Sequence, residues 1–102
     1  MHYNITTMLF DWDRTKAFGN LKKHGISFEM ASTIFNDPLH LSVVDPDMRT
    51  EDRWVTVGRS ADQMTLVVVH TERHQSVAGE IIRIISARRA TRKEKAEYEE
   101  GI

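Results

Sequence analysis

The spacing of apolar residues changes character near Leu39. Before it they recur at helical intervals, and after it they alternate with polar residues in a period of two. A short extended piece from Met8 to Trp12 leads to Asp13, which is placed to cap a helix through about His24. Ala17, Phe18 and Leu21 fall on one side of that helix, and Gly25 supplies a left-handed stop. Ser27 caps a second helix in which Phe28, Ala31, Ile34 and Phe35 recur until Asn36-Asp37-Pro38 breaks it, so the two helices form a hairpin. The alternating part predicts strands at 39–44, 53–59, 64–72 and 81–87. Asp45-Pro46-Asp47, Ser60-Ala61-Asp62 and the stretch from His74 to Gly79 suit antiparallel connections. Thr91 with Glu94 three residues on is a capping box for a last helix to about Glu100. The most economical architecture is α+β, an antiparallel sheet with the helices on one face.

With 102 residues, 40% hydrophobic and 28% charged, the chain is expected to fold as a single domain over 1–102. Cysteine is absent, which excludes disulfides and thiolate-held metals and makes the cytoplasm the expected compartment. The longest apolar run, Leu66 to Val69, is far below the ~20 residues of a membrane span, and the first residues lack a secretory apolar segment, so a soluble, unexported protein without membrane contact is expected. A net charge of −1 does not mark a nucleic-acid binder, but screening confines exposed charges to ~8 Å and lets a local basic face act alone.

Such a face is indicated between Ile81 and Lys93, where Arg83, Arg88, Arg89, Arg92 and Lys93 occur without a single acid. A solvated, solubilising surface is the plain explanation of any charge run. Two details point instead to an anion. Arg83 interrupts an apolar strand, where alternation sets it opposite Ile82 and Ile84 and leaves it wanting an anionic partner. The last helix carries Arg92 and Lys93 in its first turn and Glu97, Glu99 and Glu100 toward its end, the reverse of what the helix dipole favours, and a phosphate at its N-terminus would resolve the conflict. A second acid-free stretch, from Arg14 to Phe28, holds Lys22, Lys23 and His24, which equally serve to cap a helix C-terminus. Arg53 and Arg59 share a strand face with Val55 and Val57, and Arg73 ends the next strand. His70 and His74 flank Glu72 without zinc-protease spacing, and no phosphate loop, nucleophile elbow, metal set or cofactor motif is present.

Phe10-Asp11-Trp12-Asp13, Lys16, Asn20, Lys23-His24-Gly25-Ile26-Ser27-Phe28, Ala31, Phe35 and Asp37-Pro38 resemble the start of the BrnT toxin family. Arg53-Trp54-Val55-Thr56-Val57-Gly58, His70-Thr71-Glu72-Arg73, Ile82 to Arg88, and then Ala90-Thr91, Arg92, Glu94 and Tyr98 continue the likeness to about Glu100. The resemblance implies a ribonuclease toxin of a type II toxin–antitoxin pair with a RelE-like fold and no metal or other cofactor. It also implies a BrnA-like ribbon-helix-helix antitoxin, a two-plus-two assembly, and contact with operator DNA only through that antitoxin. The segment from His74 to Glu80 departs from the family pattern.

RNA cleavage without a metal uses the 2′-hydroxyl as nucleophile, and it needs a base, an acid and cations for the phosphate oxygens. Arginine suits the cationic part because its fork stays charged and binds two oxygens at once. Arg53, Arg73, Arg83 and Arg88 are the candidates for that part, Lys22, Lys23, Arg59, Arg89 and Arg92 for holding backbone phosphates, and His24, then Glu72, for proton transfer. The alternatives are a module that binds nucleic acid without cutting it and a corepressor subunit.

Overall fold

The computed structural model describes residues 8–45, 53–71 and 74–101. Six strands form one sheet in the order β1, β6, β4, β3, β2, with β5 pairing on β6. They are β1 (Met8–Asp11), β2 (Leu41–Val44), β3 (Arg53–Arg59), β4 (Thr65–Thr71), β5 (His74–Ser76) and β6 (Gly79–Arg89). The helices are α1 (Arg14–His24), α2 (Phe28–Ser32) and α3 (Arg92–Glu100).

The helix ends follow local capping chemistry. The Asp13 carboxylate accepts the N–H of Lys16 at 2.9 Å, and Gly25 stops α1 at φ 71°, where a side chain would be strained. The Ser27 hydroxyl accepts the N–H of Met30, and Thr91 and Glu94 close a reciprocal capping box on α3. The second helix is shorter than its apolar spacing predicts. After Ser32 it tightens into a 3₁₀ turn, Thr33–Asn36, that delivers Asp37 to the end of β3.

Four expectations of the sheet are corrected. The pairing is not wholly antiparallel, because the extended opening piece lies parallel to β6 with Phe10 opposite Ile82. Strand β2 starts at Leu41 because the N–H of Leu39 turns back to the Asp37 carboxylate. The stretch from His74 to Gly79 is not merely a connection, since His74–Ser76 pairs with β6 around a two-residue turn. Strand β6 reaches from Gly79 to Arg89, beyond the predicted 81–87, because β1, β4 and β5 all pair with it.

One face of the sheet carries the core. Leu66, Val68, Ile82 and Ile84 meet Phe28, Ala31 and Ile34 from α2 and the following turn, all essentially fully buried. Gly58 belongs to this face because a Cβ there would stand 3.1 Å from the Ile34 and His40 side chains. Helix α1 docks through hydrogen bonds rather than through the predicted apolar stripe. Buried Asn20 donates to the carbonyls of Ile26 (3.0 Å) and Ala87 (2.9 Å) and accepts the N–H of Ala87 (3.0 Å). Its amide thereby behaves as one more strand residue beside β6. Phe18 and Leu21 remain 66% and 48% exposed, Phe18 lying under the Lys22 ammonium.

The opposite face is a floor of Leu41, Val43, Val55, Val57, Val67 and Val69, as the cross-strand pairs require. Helix α3 lies over part of this floor, on the other side from α1 and α2, which corrects the expectation of helices on a single face. Its anchors are polar. Buried Tyr98 donates a short hydrogen bond to Asp37, whose carboxylate also accepts the N–H groups of Arg59 and Leu39. Glu94 pairs with Arg88, and Glu99 stands 3.6 Å from Arg59. Burial pushes the Asp37 carboxyl upward, but its three donors outweigh that and hold it below the ordinary 3.8. Burial and the Asp37 charge push Tyr98 up to about 12.

Two predictions follow from these anchors. Replacing Asn20 with Ala strands buried groups of Ile26 and Ala87, and urea unfolding should show a loss of about 2–4 kcal/mol; a loss under about 1 kcal/mol would remove Asn20 as the pin of α1. The second prediction concerns pH. Glu94 titrates at about 2 instead of 4.5 and Asp37 below 3.8, so their stabilisation is complete above those ordinary values and is lost as pH falls toward the folded ones. Tyr98, raised from 10.0 to about 12, stabilises fully below pH 10 and loses that contribution as pH rises through 12. Tyr98→Phe should abolish the alkaline loss and Glu94→Gln should shrink the acid one, both read as melting temperature against pH.

Candidate active site

Strict alternation along β6 would set Arg83 and Arg88 on opposite faces. The structure avoids this with a β-bulge. His70 pairs with Ile84 and Val69 with Ser86, so Ile85 is an extra residue and the phase of β6 reverses after it. Ile82 and Ile84 therefore point to the core before the bulge and Ala87 after it, while Arg83 and Arg88 both fall on the valine face. Arg53 and Arg59 of β3 share that face, in phase with Val55 and Val57.

Arg53, Thr71, Arg83 and Asp11 form one row across four strands. Arg53 pairs with Thr71, the Thr71 hydroxyl accepts the N–H of Arg83 at 3.0 Å, and Arg83 pairs with Asp11 of β1. Strand spacing puts the Arg53 and Arg83 backbones about 10 Å apart, and Arg88 lies about 13 Å further along the sheet. Thr71 is braced from the core side, where its carbonyl accepts from Nδ1 of buried His70 at 2.6 Å. The other ring nitrogen, Nε2, meets the Thr56 hydroxyl at 2.6 Å, and Thr56 in turn meets Ser42 at 2.7 Å. The ring also packs edge-on against Phe35. His70 is thus a structural histidine, with both ring nitrogens engaged.

The arginines of this face differ in their partners. Arg83 stands 3.3 Å from the Asp11 carboxylate, both side chains being about half exposed, which is a weak pairing. Arg88 is held more firmly, with Nη1 and Nη2 each 2.8 Å from one oxygen of Glu94. That fork lowers the Glu94 carboxyl to about 2 and raises the Arg88 guanidinium further. Arg53 makes no ion pair among the described residues, and its Nε is buried without a hydrogen-bond partner. Arg59 also has a buried Nε without one, though its Nη2 approaches Glu99.

The charge order of α3 needs no outside phosphate. The Glu94 carboxylate folds back to accept the N–H of Thr91 at 2.8 Å while binding Arg88, so an internal anion already occupies the N-terminal turn.

The remaining candidates are dispersed. His24 ends α1, half-buried, and makes no hydrogen bond or ion pair with these arginines among the described residues. Lys22 and Lys23 are exposed in the last turn of α1, where cations suit the dipole. Arg89 and Arg92 are exposed at the end of β6 and the start of α3. Glu72 and Arg73 lie outside the described residues. Sequence reasoning gave no part in the site to Asp11, Thr71 or Glu94. Glu94 had a signal, since a capping-box acid after acid-free arginines is a ready partner for one of them. Asp11 had none, because its neighbour in the sheet is remote in the chain.

Among the described residues no group of three or more histidines and acids is arranged to hold a metal, and no helix is long and apolar enough to cross a membrane. Comparison with curated proteins found no match. Among solved structures, the crystal structure of the Brucella abortus ribonuclease toxin BrnT is similar, with a TM-score of 0.57 and 25% identity over 84% of this chain and 100% of that one. The family described as "Ribonuclease toxin, BrnT, of type II toxin-antitoxin system" matches residues 12–94. That match spans the row at Arg53 and Arg83, the bulge, and the Arg88–Glu94 pair, and the chain belongs to the BrnT family of ribonuclease toxins of type II toxin–antitoxin systems.

Proposed function

We propose that this chain is an endoribonuclease that cleaves RNA without a metal, through attack of the 2′-hydroxyl on the adjacent phosphate, and thereby inhibits translation and growth. The observation that carries this reading is the bulge at Ile85, which sets Arg83 and Arg88 on one sheet face with Arg53. The guanidinium groups of Arg53, Arg83 and Arg88, with Arg59 on the same face, offer permanent positive charge over an apolar floor to the charge that develops on phosphate oxygens. Arg53, on the valine face and without an ion pair among the described residues, takes the scissile phosphate through the outer nitrogens of its guanidinium. Arg83, positioned by Asp11 and Thr71, binds the same phosphate from the opposite side. Arg88 meets a neighbouring phosphate, and Arg59, Arg89, Arg92, Lys22 and Lys23 hold the backbone beyond. Proton transfer falls to His24 or Glu72, with Arg73 as a further cation. DNA, lacking the attacking hydroxyl, is left intact.

An antitoxin partner follows from the family. The reading extends to a BrnA-like ribbon-helix-helix protein in a two-plus-two complex that represses its own operon, bringing the toxin to DNA only through the antitoxin. The cytoplasm, where its RNA target resides, is the site of action.

A second reading is favoured by the carboxylates already on Arg83 and Arg88. On it, the chain grips RNA or serves as a corepressor without cutting. Incubating purified protein with RNA in EDTA decides between them. Cleaved product carrying a 2′,3′-cyclic phosphate is expected, and bound RNA that stays intact would select the second reading.

Arg53→Ala should lower the single-turnover cleavage rate by about 10²–10³ with the melting temperature nearly unchanged, and Arg53→Lys should recover only part of it, because an ammonium cannot reproduce the fork. A rate within about threefold of the parent for Arg53→Ala would remove Arg53 from the centre.

A further inference from the structure

The Nη1–Nη2 edge of Arg88 is taken, while Nε and the second N–H of Nη2 make no hydrogen bond among the described residues. Nη1 and Nη2 each give one hydrogen to Glu94, and Nη1 gives its other to the carbonyl of Arg89 at 3.2 Å. A carboxylate presents two oxygens in the same planar spacing as two oxygens of a phosphate, so the two anions compete for one guanidinium. The pair sits at the protein surface, its side chains 42% and 30% exposed, which leaves the exchange open to solvent. Beside it runs a groove of about 410 Å³ floored by valines of β2, β3 and β4, with Ser86 next to Arg88 and with Asp45 and Glu94 as its carboxylates. This is room for a sugar-phosphate link.

We propose that Glu94 is an internal competitor for phosphate at the Nη1–Nη2 edge of Arg88, so that this edge engages RNA only when the Glu94 carboxylate turns away. The proposal rests on the reading that RNA crosses this face. Helix α3 survives the release, because the Thr91 hydroxyl still accepts the N–H of Glu94 and the far end remains tied through Tyr98 to Asp37 and through Glu99 to Arg59. Glu94 thereby sets how many phosphates the face holds. The resting chain shows RNA Arg53 and the loosely paired Arg83, and the third fork is uncovered only by an anion able to outbid a carboxylate already in place.

The test uses the full chain and a 2′-O-methyl single-stranded RNA oligonucleotide, which binds without being cut, followed by fluorescence anisotropy over a range of salt. Glu94→Gln keeps an amide oxygen for the N–H of Thr91, removes the charge and replaces one of the two oxygens that accept from Arg88 with an NH2 donor. It should bind about threefold to tenfold more tightly than the parent. Its dependence of log affinity on log salt should steepen by about 0.7, the share of one phosphate on a single strand. In an Arg88→Ala background the same substitution should change little. Glu94→Asp, one methylene short of the fork, should fall between, and circular dichroism reports that each variant is folded. Unchanged or weaker binding by folded Glu94→Gln overturns the proposal. So does an equal gain in the Arg88→Ala background, which would be a general effect of one less negative charge. If the parent binds and cuts RNA while these variants match it, only the competition at Arg88 falls. If neither parent nor variants bind RNA, the proposed function falls and the competition falls with it.

Discussion

One inserted residue in β6 governs what each face of this sheet can do. Side chains on a strand alternate strictly, so a single register serves either the core or the exposed face along its whole length. β6 must satisfy both. Its first half buries Ile82 and Ile84 against the α2 side and pairs in parallel with β1, and its second half buries Ala87 and receives Asn20 along the edge that β1 leaves free. The bulge at Ile85 is the joint between these demands, and its by-product is that Arg83 and Arg88 emerge on one side. Without it, one of them would face the core, where a guanidinium lacking a partner is costly.

The two faces are built on different physics. The α2 side is a conventional apolar core, supplemented by a chain from exposed Ser42 to buried Thr56 and His70, whose last link fixes the Thr71 peptide. The valine side is apolar in its floor and charged at its rim, and the helix over it is held by carboxylates: Glu94 on Arg88, Glu99 on Arg59, and Tyr98 on Asp37. Such contacts are weak and reversible where they are exposed.

Local chemistry was legible in the sequence, and long-range pairing was not. Asp13, Gly25, Ser27 and the Thr91–Glu94 box placed the helix ends, because caps act within four residues, and the alternation from Arg53 to Arg59 gave β3 to the residue. The want of an anion at Arg83 was readable from four flanking isoleucines, whereas its partner Asp11 was not, since a four-residue strand carries no mark of the neighbour it chooses 72 positions away. The bulge left no composition signal either. Helical periodicity misled at Phe18 and Leu21, where hydrogen bonds from Asn20, rather than burial of apolar area, decide which side of α1 faces in.

The most direct measurement is a double-mutant cycle on RNA cleavage with Arg53→Ala, Arg83→Ala and the pair. If both guanidinium groups bind one phosphate, removing the second costs less once the first is gone, and the combined loss should fall short of the product of the single losses by a coupling of about 1–3 kcal/mol. Strictly multiplicative losses, or single variants as active as the parent, would show that the two arginines do not share a phosphodiester.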